Sequence, residues 1–282
     1  MMGQLTVAGV VSRSGVGLHS GETVTARLCP APPGSGIVFR AGAVSIPARL
    51  QHVVDTQLAT TLGKDGSQIR TVEHVLAACS GLGVDNLVVE IDGAEVPVLD
   101  GCAAEWVQAI KAVGVEHQDR ERSWVSVRRP FEFQDGPRWA RLEPAEVTTL
   151  DVLIDFDHPL IGQQQLVLVL SEGVFERELA WARTFGFARH VPAMRRMGLV
   201  RGGSLDNALV FGEDEPLNPG GLRAADEPVR HKMLDVLGDL ALLGAPLRGL
   251  LRTGRPGHGV IAALLGAALD AGDVLEFHGS MP

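Results

Sequence analysis

His231-Lys232-Met233-Leu234-Asp235-Val236-Leu237-Gly238-Asp239 sets a histidine and two aspartates at steps of four. Residues four apart lie on one face of an α-helix, and each step drifts by only about 40°. The spacing therefore predicts a helix with one polar stripe: His231, Asp235 and Asp239. Met233, Leu234, Val236, Leu237 and then Leu240 fill the other positions and belong to a core. Burying two carboxylates on a core helix costs several kcal/mol unless something compensates. Two readings are open. An i,i+4 surface pair contributes a few tenths of a kcal/mol and keeps the stripe in water. A divalent metal lets the stripe be buried, and imidazole with carboxylate is a donor set that zinc accepts.

Part of the pattern recurs earlier in the chain. Thr71-Val72-Glu73-His74-Val75-Leu76-Ala77-Ala78-Cys79 has helical spacing and stops near Gly81 or Gly83, with Thr71 as a candidate N-cap. Both stretches place a histidine early in a helix and follow it with spaced apolar residues. Glu73 in a first turn is favoured by the helix dipole alone, by about 0.3–1 kcal/mol. The functional reading is a base beside a metal ligand, because adjacent helical residues point about 100° apart and can reach one water from two sides.

Around these helices the chain is dense in short strands. Residues 5–11, 23–28, 37–40, 44–49, 56–62 and 85–92 read as strands, with Gly/Pro punctuation between them. Ser14 to Glu22 holds three glycines in seven residues, a tight turn whose backbone can approach a ligand. A helix follows at 103–113. The polar run 114–123 reads as a connector and supplies the boundary between two domains, 1–118 and 119–282. The second half has the same grammar: strands at 124–128, 131–133, 138–142, 148–156 and 165–170, a helical segment near 188–197, and a strand at 208–211. The polar-striped helix comes next, opened by Asp226 with Pro228 in its first turn and ending before Gly244. Gly257-His258-Gly259 reads as a loop before a last short helix, and 274–277 as a last strand. Strands and helices that each bury one face give an α+β class with mostly antiparallel sheets.

Composition narrows the function. Asp plus Glu is 34 against Lys plus Arg 25, a net charge of −9, which disfavours a broad basic surface for nucleic acid. Small anionic ligands need only a few local Arg or Lys. The three cysteines, Cys29, Cys79 and Cys102, form no C-x-x-C pair, and the odd count argues against a disulfide framework. No signal peptide is evident, and the longest apolar runs are too short to span a bilayer. A cytoplasmic protein without an integral membrane segment is expected.

Eight motifs occur in order: Gly17-Leu18-His19-Ser20-Gly21, Thr71-Val72-Glu73-His74, Asp85-Asn86, Asp100-Gly101, Ala182-Arg183-Thr184-Phe185-Gly186-Phe187, Gly202-Gly203-Ser204, His231-Lys232-Met233-Leu234-Asp235 and Gly257-His258. Each is weak alone. Together they closely resemble the UDP-3-O-acyl-N-acetylglucosamine deacetylase family, zinc amidohydrolases of lipid A biosynthesis. The resemblance implies two similar α+β domains, each a sheet with a pair of helices, packed helices inward with the active site between them. It implies Zn²⁺, one per chain (Fe²⁺ suits the same donors), held by His74, His231 and Asp235, with one position open as in a catalytic site.

Other roles follow from the same resemblance. Glu73 matches the general base. Thr184 and Lys232 match groups near the developing oxyanion. His258 matches a general acid, with Asp239 as the carboxylate that keeps it protonated. Phe187, Leu199, Gly203 and Ser204 fall on the region of an apolar passage for the acyl chain, and Leu18 and His19 on a substrate-binding turn. Phe156 matches an aromatic near the nucleotide. Arg138 and Arg255 stand where other members carry lysine toward the diphosphate, and His190 where some carry an acid. The implied reaction is hydrolysis of the N-acetyl group of an acylated UDP-sugar by a monomeric enzyme. The alternative is a zinc deacetylase or amidase acting on a different N-acylated substrate.

Overall fold

The computed structural model describes residues 3–279 and shows one topology used twice. The first half contains β1 (Gly3–Val7), β2 (Val11–Val16), β3 (Thr23–Pro30), β4 (Ile37–Ala41), β5 (Val44–Pro47), β6 (Val53–Asp55), β7 (Thr61–Lys64), β8 (Ser67–Ile69), α1 (Glu73–Leu82), β9 (Leu87–Ile91), α2 (Ala104–Val113) and β10 (Val115–Glu121). The second contains β11 (Trp124–Val127), β12 (Phe131–Asp135), β13 (Arg138–Glu143), β14 (Thr149–Phe156), β15 (Gly162–Val169), α3 (Val174–Glu178), β16 (Phe185–Phe187), α4 (Val191–Arg196), β17 (Leu209–Phe211), α5 (Glu227–Leu240), β18 (Leu247–Arg248), β19 (Leu250–Gly254), α6 (His258–Ala271) and β20 (Leu275–His278).

The main sheets run β2-β3-β9-β4-β5 and β12-β13-β19-β14-β15. In each, two antiparallel hairpins flank a strand that arrives from the preceding long helix. That strand is antiparallel to one hairpin and parallel to the other. Each half also pairs its first strand antiparallel with its last, β1 with β10 and β11 with β20. Topology thus matches α1 to α5 and α2 to α6. The insertions fall at the same place, before the matched long helix: the β6-β7-β8 sheet in the first half, and the parallel β16-β17 pair with α4 between in the second.

Period-2 alternation sends Val24, Ala26 and Leu28 of β3, and Leu150, Val152 and Ile154 of β14, into the core. The helices cover those faces. α2 packs on β2, α6 on β12 and β13, and α5 on β14 and β15, while α1 packs on α5. The α1–α5 crossing is close because residue 238 is glycine: a Cβ there would overlap the Glu73 carbonyl and lie 3.0 Å from its Cα. Both helices are buried almost all round, as expected of central helices.

Four local readings change. Residues 5–11 are not one strand; the chain breaks at Ala8–Val10 between β1 and β2. Residues 56–60 leave the sheet, with Leu58 at φ 61°, and only Thr61 and Leu62 of that reading are paired. The polar run 114–123 is largely β10, an edge strand whose backbone pairs with β1 while polar side chains face water, so it lacks an apolar alternation to read. Thr71 does not cap α1; at φ 61° it donates its hydroxyl to Glu95 Oε1 instead. No helix among the described residues is long and apolar enough to cross a membrane.

Candidate active site

The polar stripe is buried. His231, Asp235 and Asp239 are 2%, 5% and 2% exposed, so the surface-pair reading fails. α5 brings His231 and Asp235 against His74, the second residue of α1. Asp235 Oδ1 is 3.3 Å from His231 Nε2 and 3.6 Å from His74 Nε2. Donor atoms of the three residues all lie within 4.8 Å of one another.

The chemistry of this set fits a cation. His231 Nδ1 is 3.0 Å from the Ala182 carbonyl, which can only accept, so Nδ1 carries the proton. Burial, opposed by Asp235, lowers the His231 pKa to about 4, so the ring is neutral and Nε2 presents a lone pair. Lys232 Nζ takes Asp235 Oδ2 at 2.7 Å, leaving Oδ1 toward the imidazoles. Burial works against the Asp235 carboxylate, but His231 and Lys232 override it and hold the group well below its ordinary range. Lone pairs converging in a buried space repel one another unless a cation lies among them. Imidazole nitrogen fixed through its other nitrogen by a backbone carbonyl is how metal-ligating histidines are held.

Two further groups flank the set. Burial raises the pKa of Glu73, against the pull of His258 and His74. His258 is the first residue of α6 rather than part of a loop, which fixes its backbone. Its Nδ1 is 2.8 Å from Asp239 Oδ2, and its Nε2 is 3.9 Å from Glu73 Oε1. Burial disfavours the imidazolium, but Asp239, followed by Glu73 and Asp235, outweighs it and pushes His258 up to about 9. Burial likewise opposes the Lys232 charge, and Asp235 with Asp239 and Glu73 keeps its pKa raised. One base-like and one acid-like group thus stand on either side of the candidate metal ligands.

These side chains open into one cavity of about 1010 Å³. Leu18, His19, Glu73, His74, Arg138, Phe156, Thr184, Phe187, Gly203, Ser204, His231, Lys232, Asp235 and His258 all line it, as does His190. Asp239 stands behind His258. Leu199, 5% exposed, is buried and is not among the lining residues. Arg255 lies beside the wall and is tied to Asp155 at 2.6 Å. The apolar part of the cavity comes from the β16–α4–β17 insertion, including Val191, Met194 and Val210, with Leu217 from the segment after β17, and Phe156 meets Phe185 and Phe187 there with centroids 5.4 and 5.7 Å apart.

Residues 4–270 match the family described as LpxC: UDP-3-O-acyl N-acetylglycosamine deacetylase. The chain belongs to this family. A protein named UDP-3-O-acyl-N-acetylglucosamine deacetylase from Myxococcus xanthus (strain DK1622) is 49% identical over 259 residues, 90% of this chain and 82% of that protein. Proteins of the same name from Anaeromyxobacter sp. (strain Fw109-5) and Anaeromyxobacter dehalogenans (strain 2CP-C) are 49% and 48% identical over 264 residues, 93% of this chain and 87% and 86% of theirs.

Within this family member, several buttressing residues carry no signal in the sequence. Glu95, 2% exposed, accepts from the N–H groups of His19 and Ser20 at 2.9 and 2.8 Å as well as from Thr71. It thereby fixes the Leu18–His19 turn. That turn meets the second half at Gly202, where a Cβ would overlap the Gly17 carbonyl. Glu227 accepts from Arg183 Nε and Nη2 at 2.8 and 3.0 Å and so ties the start of α5 to the segment carrying Thr184. His19 receives the Val200 N–H on Nδ1 at 3.4 Å, and its buried Nε2 has no partner among the described residues. Burial lowers its pKa. The neutral ring therefore carries its proton on the buried Nε2. Leu58, Thr71 and Val200, three non-glycine residues at positive φ, also line it, which places backbone strain at the site.

Proposed function

We propose that this chain hydrolyses the N-acetyl group of a UDP-3-O-acyl-N-acetylglucosamine, giving the free amine and acetate, in lipid A biosynthesis. The observation that carries the reading is the buried His74–His231–Asp235 set, flanked by Glu73 and His258, in a cavity that continues into an apolar arm. The metal is taken to be Zn²⁺, one per chain, with Fe²⁺ suited to the same donors. When bound, it supplies Lewis acidity toward water and the amide carbonyl.

The chain's own residues do the rest. Glu73, its carboxyl tuned upward by burial against the pull of His258 and His74, takes the proton of the attacking water. Lys232 and the Thr184 hydroxyl stand where the carbonyl oxygen gains charge. His258, charged below about pH 9, gives the Nε2 proton to the leaving nitrogen, and Asp239 stabilises the charge and orientation of its ring. The apolar residues around Phe187 and Leu217 receive the acyl chain, Phe156 and Arg138 lie toward the nucleotide, and His19 donates to a substrate oxygen. The division into domains 1–118 and 119–282 belongs to the same reading, with the junction better set at Arg122–Ser123 because β10 pairs with β1 through Glu121. So do a monomeric state and a cytoplasmic location.

Turnover of acylated and unacylated UDP-N-acetylglucosamine, with metal analysis of the purified protein, tests the reading. A strong preference for the acylated sugar and near-stoichiometric zinc are expected. Comparable turnover of both sugars would point to a different N-acylated substrate.

A further inference from the structure

The proposed base and the acid's partner are both held by a residue that none of the motifs contains. Thr60 is 1% exposed. Its hydroxyl donates to Asp239 Oδ1 at 2.7 Å, and its backbone N–H donates to Glu73 Oε2 at 3.1 Å. Its carbonyl accepts the Val72 N–H at 3.4 Å, just before α1. In each carboxylate the other oxygen faces His258: Glu73 Oε1 lies 3.9 Å from Nε2, and Asp239 Oδ2 pairs with Nδ1 at 2.8 Å. The chain departs from the sheet at 56–60, with Leu58 forced to positive φ, in the segment that delivers Thr60 there.

We propose that Thr60 is a positioning residue for the deacetylation, acting through Asp239 and Glu73 at once and setting the base and the acid in register with each other. This rests on the function proposed above. Without the hydroxyl, the buried Asp239 Oδ1 loses its donor, and the carboxylate can rotate away from His258. The backbone N–H to Glu73 survives any side-chain change, so side-chain variants isolate the Asp239 arm.

Thr60→Val keeps the β-branched shape and removes only the hydroxyl; Thr60→Ser keeps the hydroxyl. Both are compared with Glu73→Gln in kcat, KM, metal content and Tm on the full chain with an acylated UDP-sugar. Thr60→Val is expected to lose about 10- to 100-fold in kcat with KM and metal content unchanged, as removal of a group supporting a reacting residue does. Thr60→Ser should stay within about threefold of the unaltered enzyme. Wild-type kcat in Thr60→Val, or an equal fall in Thr60→Val and Thr60→Ser, overturns the proposal. If Thr60→Val lowers metal content or Tm, Thr60→Ala and Thr60→Ser are compared, since both lack the methyl and differ by the hydroxyl; equal kcat in that pair overturns it. Full activity in Glu73→Gln would instead remove the functional reading itself.

Discussion

Replacing Asp239 by Asn removes a charge and leaves a side chain of the same shape, whose amide oxygen can still accept from His258 Nδ1. In the native site His258 is pushed up to about 9, although burial alone would take it below 6.5. Asp239 is the largest favourable influence, so the variant ring should titrate at or below about 6.5. At pH 7.5 a group of pKa 9 is roughly 97% protonated and one of pKa 6.5 roughly 9%. Loss of protonated acid alone therefore predicts about a tenfold fall in kcat/KM at that pH. A cation among His74, His231 and Asp235 would repel an imidazolium, so about 9 is a ceiling for the loaded enzyme. The assay is a profile of kcat/KM between about pH 6 and pH 10. The alkaline limb should move down by about 2.5 units in Asp239→Asn, with activity largely recovered near pH 6. Stability follows the same sign. A histidine whose folded pKa is raised contributes stability that is full below about 6.5 and lost as pH rises through about 9. The Tm gap between the native enzyme and the variant should therefore narrow between pH 6 and pH 9.5. A uniform drop in activity with an unmoved alkaline limb would show that Asp239 does not set the charge of His258.

Glu73→Gln should retain metal and lose about 10²- to 10⁴-fold in kcat; loss of metal on elemental analysis would make Glu73 a ligand rather than a base. Asp235→Ala should weaken metal binding, read by competition with a chelating dye, far more than Asp239→Ala; equal weakening would mean the stripe is divided wrongly. Gly238→Ala should lower Tm by several degrees, on the order of 1–3 kcal/mol, because the added methyl meets the Glu73 backbone; an unchanged Tm would refute the close α1–α5 crossing.

What the sequence made legible, and what it hid, divides along physical lines. Helical period exposed α1, α2 and α5, and the stripe His231–Asp235–Asp239 pointed at a metal because burying it needed a compensator. Alternation exposed strands with one face in the core, such as β3 and β14. It did not expose β10, whose two faces are both polar, or the interruption at Leu58, where tertiary demand overrides a run of good strand formers. Thr71 looked like a cap because threonine caps helices; its partner, Glu95, lies 24 residues away, a separation no local rule reaches. Thr60 and Glu95 share that invisibility. Neither has a pattern, and each matters only through what long-range folding sets beside it.

The repeated topology supplies the scaffold, and the two halves differ in what they place on it. α1 and α5 occupy matched positions in topology and cross at Gly238, so Glu73 and His74 lie directly against the helix that carries His231 and Asp235. α6 opens with His258, whereas its counterpart α2 opens with Ala104. In the proposed mechanism the first half therefore contributes the base and one of the candidate metal donors. The second contributes the other two candidate donors, the proposed acid His258 and its carboxylate Asp239, and the first reaches back with Thr60 to hold that carboxylate. Chemistry and packing are inseparable at this crossing. The backbones that touch at Gly238 set the distance between Glu73 and α5, and the same distance lets one buried threonine span from the base to the acid's partner.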